Sequence, residues 1–131
     1  MPKFALKKIE AVVGKQQFFE LLVDDVSQYK QFMAEISDNP QYVSEVKTIL
    51  TYMNLVAELR VFLPKTKFRD ITPSKDKIKE YEFKSDHLRV YAFHLEMTGK
   101  IVAYWGYKNN QDKDIKKFRS IKKLFIETQK I

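Results

Sequence analysis

The sequence contains no cysteine, and only three glycines and four prolines in 131 residues. Without cysteine, disulfides, thiolate zinc sites and thiol nucleophiles are excluded, and the composition fits a reducing cytoplasm. So little glycine and proline, beside 44% hydrophobic and 31% charged residues, excludes collagen-like, low-complexity and disordered classes. Long apolar runs are missing too. None approaches the roughly 18 residues of a membrane span, and Met1-Pro2-Lys3-Phe4-Ala5-Leu6-Lys7-Lys8 lacks the apolar core of a signal peptide. The expectation is a soluble cytoplasmic protein that does not engage a membrane. No Gly-rich phosphate loop exists, and the two histidines, His87 and His94, have no partners at metal-ligand spacing, so neither a metal nor another cofactor is expected. No Gly-x-Ser-x-Gly elbow is present for serine hydrolysis.

What the chain does have is positive charge, unevenly placed. Residues 1–63 carry seven Lys/Arg and eight Asp/Glu, a net of −1, whereas residues 64–131 carry 17 and 9, a net of +8. A basic half favours anionic partners such as nucleic acid, an acidic protein or a membrane surface, because summed charge steers encounter and releases counterions from phosphate. A solvated, solubilising face explains the charge count equally well.

The length suits one domain with its own core. Residues 1–24 read as a strand region: the type of Phe4 to Val13 stays open, and Gln16 to Val23 has the aromatic and β-branched content of a strand. Asp24-Asp25 offers N-caps for a helix whose face carries Val26, Tyr29, Met33 and Ile36. Asn39-Pro40 starts a second helix, residues 40–60, with Val43, Val46, Leu50, Met53 and Ala57 on one face. Residues 25–60 therefore form a helical hairpin. The basic connector Lys65 to Pro73 reads as a loop with one short turn. From residue 78 to 108 the period changes to 2, giving three strands joined at Ser85-Asp86 and Thr98-Gly99, an antiparallel meander. A closing helix over 111–129 places Ile115, Phe118, Ile121, Leu124 and Phe125 opposite Lys116, Lys117, Lys122 and Lys123. The fold class is α+β, with an antiparallel sheet of three to five strands, an N-terminal helical hairpin and a basic C-terminal helix.

Candidate chemistry gathers in the meander. Leu88, Val90 and Ala92 share one face of a strand, and Arg89, Tyr91 and Phe93 share the other. If that second face is open, Arg89 and Tyr91 bind phosphate and stack a base, as single-strand binders do; the alternative is that the closing helix covers it. Trp105 reads as core. Gly106 marks a bulge or a close approach by another group. Tyr107 either stacks a base or packs at the edge of the core. Lys116 and Lys117 are a solvated helix face or contacts to RNA backbone.

Tyr81-Glu82-Phe83-Lys84, Leu88-Arg89-Val90-Tyr91 and Gly106-Tyr107-Lys108-Asn109-Asn110-Gln111 resemble the Tyr-Glu-Leu-Arg, Tyr-Arg-Val-Tyr and Gly-Phe-x-Lys-Lys-Thr-Gln stretches of the RelE/HigB-like messenger-RNA interferase toxins, within the RelE/ParE superfamily. The order of elements across residues 1–131 resembles that family as well. The resemblance implies a single RelE-like domain that cleaves messenger RNA on the ribosome by attack of a ribose 2′-hydroxyl, without a metal, and a cognate antitoxin protein as partner. It implies that Arg89 holds the scissile phosphate, flanked by Lys84 and Lys108, and Tyr91, Tyr107, Gln111, Lys116 and Lys117 are the RNA-binding candidates beside them.

His87 is the general-base candidate by the ordinary range of histidine, and a solvated turn histidine is the alternative. Asn109 departs from the family's paired lysine. Glu80 and Glu82 either repel phosphate or pair with Arg89 or Lys84, which makes those cations structural. Two further readings remain open on the same fold: a binding module for RNA or protein without cleavage, and a ParE-like gyrase poison.

Overall fold

The computed structural model describes residues 2–59 and 62–129. Among the described residues seven strands, three α-helices and one 3-10 turn follow one another: β1 (Phe4–Lys8), β2 (Phe18–Val23), β3 (Val26–Ser27), α1 (Gln28–Ile36), α2 (Pro40–Ala57), β4 (Phe68–Asp70), β5 (Glu80–Lys84), β6 (Leu88–Leu95), β7 (Gly99–Tyr107), the 3-10 turn Lys108–Asn110, and α3 (Gln111–Gln129). The strands form one sheet in the order β1-β2-β7-β6-β5-β4, and β3 pairs with β2. Residue 60, the expected end of the second helix, lies outside the described residues.

The expected antiparallel sheet is in fact mixed. The meander β5-β6-β7 is antiparallel throughout, but β2 runs parallel to β7, with Phe18 opposite Lys100 and Glu20 opposite Val102. Between these parallel strands the chain passes through α1 and α2 to the far edge of the sheet at β4 and returns through β5 and β6. The connector read as a loop supplies β4, whose Phe68, Arg69 and Asp70 pair with Phe83, Glu82 and Tyr81.

Helix α1 begins later than Asp24-Asp25. Both aspartates have positive φ, 50° and 67°, and make the turn between β2 and β3, a backbone region that Asp tolerates better than most residues. Ser27 is the cap, its hydroxyl accepting from Lys30 N at 3.0 Å. Val26 is exposed, and Phe32 and Ile36 take the buried positions. Helix α2 starts as its sequence predicts: Asn39 accepts from Tyr42 N at 3.1 Å and Pro40 follows, a cap worth about 1 kcal/mol.

The alternation of β6 divides the interior. Leu88, Val90 and Ala92 join Phe18, Phe83, Val46, Ile49, Met53 and Trp105 beneath the helix pair. Tyr91 and Phe93 join Leu21, Ile101, Ala103, Phe118 and Phe125 beneath α3. Each large side chain so buried contributes about 1.5–3 kcal/mol. A bulge in β7 opposite Tyr91 and Ala92 leaves Ala103 without a partner, so Ala103 and Tyr104 both pack on the α3 side. Gly106 is a close approach, not the bulge: a Cβ there would collide with the Asp114 carboxylate of α3.

Candidate functional site

The β5–β6 turn brings the sequence-predicted cations together. Lys84 and Arg89 are direct cross-strand partners, and both project toward α3 with Glu82 and Arg69. Glu82 is fully buried. Its Oε1 accepts from Arg69 Nη2 at 2.9 Å and Nε at 3.1 Å, with Lys84 Nζ at 3.8 Å. Its Oε2 accepts from Gln111 Nε2 at 2.6 Å, which ties the start of α3 to the sheet. Two cations, Arg69 and Lys84, thus share one carboxylate, with Arg89 across the strand pair from Lys84. The Lys84 pKa is lowered by burial first, then by the nearby Arg69 and Arg89, against the opposing pull of Glu82.

Arg89 is only 8% exposed. Its Nη1 donates to Ser85 O at 2.6 Å and Leu88 O at 2.7 Å, and its Nε is buried without a partner. The expected open fork on phosphate is therefore corrected: Nη1 already braces the turn and Nε is buried, so among the described residues Nη2 is the nitrogen left for a ligand. Glu82 pairs with Arg69 and Lys84, whereas Glu80 pairs with Arg119 at 2.9 Å and Lys122 at 2.7 Å.

Tyr91 is corrected as well. It has no exposed surface and its ring stacks on Phe118 at 5.6 Å, so α3 covers the Arg–aromatic face and no base can stack there. Burial and the neighbouring Glu82 raise its pKa. Lys122, expected on the solvated face, is buried: its Nζ donates to Glu80, to Asp76 at 2.9 Å and to Ile78 O at 3.0 Å. Lys116, Lys117 and Lys123 are exposed.

His87 lies on the other side of the same turn, toward α2. Its Nδ1 is 2.7 Å from Glu45 Oε2, and its backbone N donates to Glu45 Oε1 at 2.7 Å. The Ser85 hydroxyl donates to that same oxygen at 2.5 Å, and Gln41 donates to Oε2 at 3.0 Å. Burial pushes the Glu45 carboxyl up, but these hydrogen bonds from Ser85, Gln41 and His87 outweigh it and hold the pKa at about 2. The imidazole remains about half exposed.

Tyr42 bridges the rings of His87, at 5.6 Å, and Tyr107, at 5.8 Å. Tyr107 is half-buried. Its hydroxyl donates to Glu35 at 2.6 Å, and burial with that bond pushes its pKa to about 12. Lys108 follows at the strand end, exposed, its N donating to His87 O at 2.8 Å. His87, Tyr107 and Lys108 therefore share one end of the sheet with Lys84 and Arg89, on opposite sides of the Ser85–His87 turn.

No protein-family model, curated protein or solved structure matches this chain. The arrangement must accordingly be weighed on its own chemistry. Among the described residues no three His, Asp or Glu side chains form a group able to hold a metal, and no helix is long and apolar enough to cross a membrane. Sequence reasoning missed Arg69 and Glu45. Arg69 sits in a basic stretch whose strand character is not visible locally, and Glu45 lies 42 residues from His87, a separation that no local motif encodes.

Proposed function

We propose that this chain is a toxin-like endoribonuclease, a ribosome-dependent messenger-RNA interferase of the RelE/HigB-like kind, acting in a pair with a cognate antitoxin. The observation that carries the reading is that one tight turn at the end of the sheet bears Lys84 and Arg89 on its α3 side and a carboxylate-held imidazole, His87, on its α2 side. The order strand, helical pair, antiparallel meander and closing helix also supports it, being the order on which the sequence resemblance rests.

In this reaction the 2′-oxygen attacks the adjacent phosphorus, the bond to the 5′-oxygen breaks, and a 2′,3′-cyclic phosphate and a 5′-hydroxyl result. His87 takes the proton from the 2′-hydroxyl. Arg89 Nη2, Lys84 and Lys108 offset the charge that builds on the phosphate oxygens, an effect worth several kcal/mol where water is displaced. Lys84, with its lowered pKa, gives up a proton to the leaving 5′-oxygen more readily than an ordinary lysine.

One observation favours a second reading, a binding module on the same fold without cleavage: Arg89 is mostly buried and Tyr91 is sealed under α3. Purified protein added to ribosomes programmed with a defined message separates the two. Cuts ending in 2′,3′-cyclic phosphate, lost in Lys84→Ala and His87→Gln variants, are the expected result. RNA that is bound and left intact supports the module. Intact message together with inhibited DNA gyrase turns the reading to a ParE-like poison.

A further inference from the structure

We infer that Glu45 is the positioning residue of the site, fixing the His87 imidazole with its proton on Nδ1 so that Nε2 is the atom that meets the 2′-hydroxyl. This rests on the endoribonuclease reading and adds to it a residue that no motif assigns.

Glu45 has the features of an orienting carboxylate. It is buried and ionised, and both its oxygens are occupied by donors: Ser85 Oγ and His87 N on Oε1, Gln41 Nε2 and the imidazole Nδ1 on Oε2. An ionised carboxylate can only accept, so the 2.7 Å contact puts the proton on Nδ1. In the neutral ring Nε2 is then the acceptor. The half-exposed ring leaves that nitrogen to a substrate, whereas a ring held by both nitrogens has none to offer.

The clamp is also tied to the phosphate side. Ser85 gives its hydroxyl to Glu45 and its carbonyl to Arg89 Nη1, so a single turn residue sets the distance between the base and the cation. Lys108 N closes the third side by bonding His87 O. Glu45 and Tyr42 of α2 contact the imidazole, Tyr107 packs on the far side of Tyr42, and Lys108 N bonds the His87 carbonyl. Glu45 is the carboxylate among them that bonds the ring. Three of its four partners, the Ser85 hydroxyl and the two from His87, belong to the turn. A helix carboxylate needed only to fasten the turn would require the Ser85 and backbone bonds; the bond to Nδ1 adds a fixed tautomer.

Two measurements test this. The first is a long-range nitrogen–proton NMR spectrum of the uniformly nitrogen-15-labelled wild type at neutral pH. The expected His87 pattern has a protonated, low-field Nδ1 and a bare Nε2; the reverse tautomer overturns the inference without touching the endoribonuclease reading. The second is the single-turnover cutting rate on ribosome-bound message against pH for wild type and Glu45→Gln, with circular dichroism to establish that the variant is folded. Glu45→Gln is expected to cut about 10- to 100-fold more slowly, as loss of an orienting partner typically does, with message affinity unchanged and the pH dependence of the rate altered. Wild-type rate and profile in a folded Glu45→Gln overturn the inference alone. Wild type that cuts nothing overturns the endoribonuclease reading instead, and the role of Glu45 with it.

Discussion

Lys100 is a cation in an apolar setting, and it sets the pH behaviour of the fold. It is 5% exposed, and its Nζ donates to the Gln16 side chain and lies 4.8 Å from the Tyr81 ring centroid; among the described residues no carboxylate pairs with it. Burial lowers its pKa from 10.5 to about 8. Between these values the unfolded chain holds a proton that the folded chain has released, so stability rises with pH through that window and the full cost is present below pH 8. The cost is about 3 kcal/mol at most. Lys100→Met is therefore expected to raise the urea-derived stability at pH 7 by about 1–3 kcal/mol and to flatten the rise between pH 8 and 10. A variant less stable than wild type at pH 7 would show that Gln16 and Tyr81 more than offset the burial.

Glu45 behaves in the opposite sense. Its folded pKa of about 2 lies below the ordinary 4.5, so its contribution is complete above pH 4.5 and is lost as pH falls toward 2. Wild type and Glu45→Gln should differ most near pH 6 and converge near pH 2.5, the gap shrinking by about 1–3 kcal/mol in acid. A gap that stays constant across this range would mean that the lost bonds to Ser85 and His87 do not depend on the charge.

At the scale of elements, α3 is held to the sheet by charge as well as by Phe118 and Phe125. Glu80 of β5 is buried between Arg119 and Lys122, and Lys122 also reaches Asp76. Removing one member of such a buried set strands the others without a partner. Glu80→Gln is expected to cost about 3–5 kcal/mol in denaturant unfolding. A paired Glu80→Leu/Lys122→Met change should cost much less, because both buried charges leave together. Loss of amide protection confined to α3 in Glu80→Gln would identify the helix as the part released.

These same contacts explain what could be read from the chain. The meander was legible because its alternation and its turns at Ser85-Asp86 and Thr98-Gly99 are written in adjacent residues. That proximity also joined Lys84 to Arg89, and Asn39-Pro40 announced α2. The parallel pairing of β2 with β7 joins segments some eighty residues apart, and β4, at three residues, is too short to show a period. The burial of Lys122 follows from Glu80 and Asp76 on distant segments. The covering of Tyr91 follows from where α3 docks, which helix periodicity does not specify.

For the molecule as a whole, net charge and usable charge are different quantities. The chain carries +7, but Lys100 and Lys122 are buried, Arg89 nearly so, and Arg69 is paired with Glu82. These cations are poorly placed to gather counterions. The exposed lysines are the ones that can, Lys108, Lys113, Lys116, Lys117 and Lys123 among them. On the proposed RNA-facing reading, each phosphate contact to a single strand contributes roughly 0.7 to the slope of log affinity against log salt. Lys116→Ala/Lys117→Ala, read by fluorescence anisotropy on a short single-stranded RNA between 50 and 200 mM salt, should lower that slope by about 1.4. Lys122→Met should leave it unchanged even if it destabilises the fold, since a buried ammonium releases no counterion on binding. Equal slopes in wild type and the double variant would remove this face of α3 from the RNA path and confine contact to Lys84, Arg89 and Lys108 at the end of the sheet.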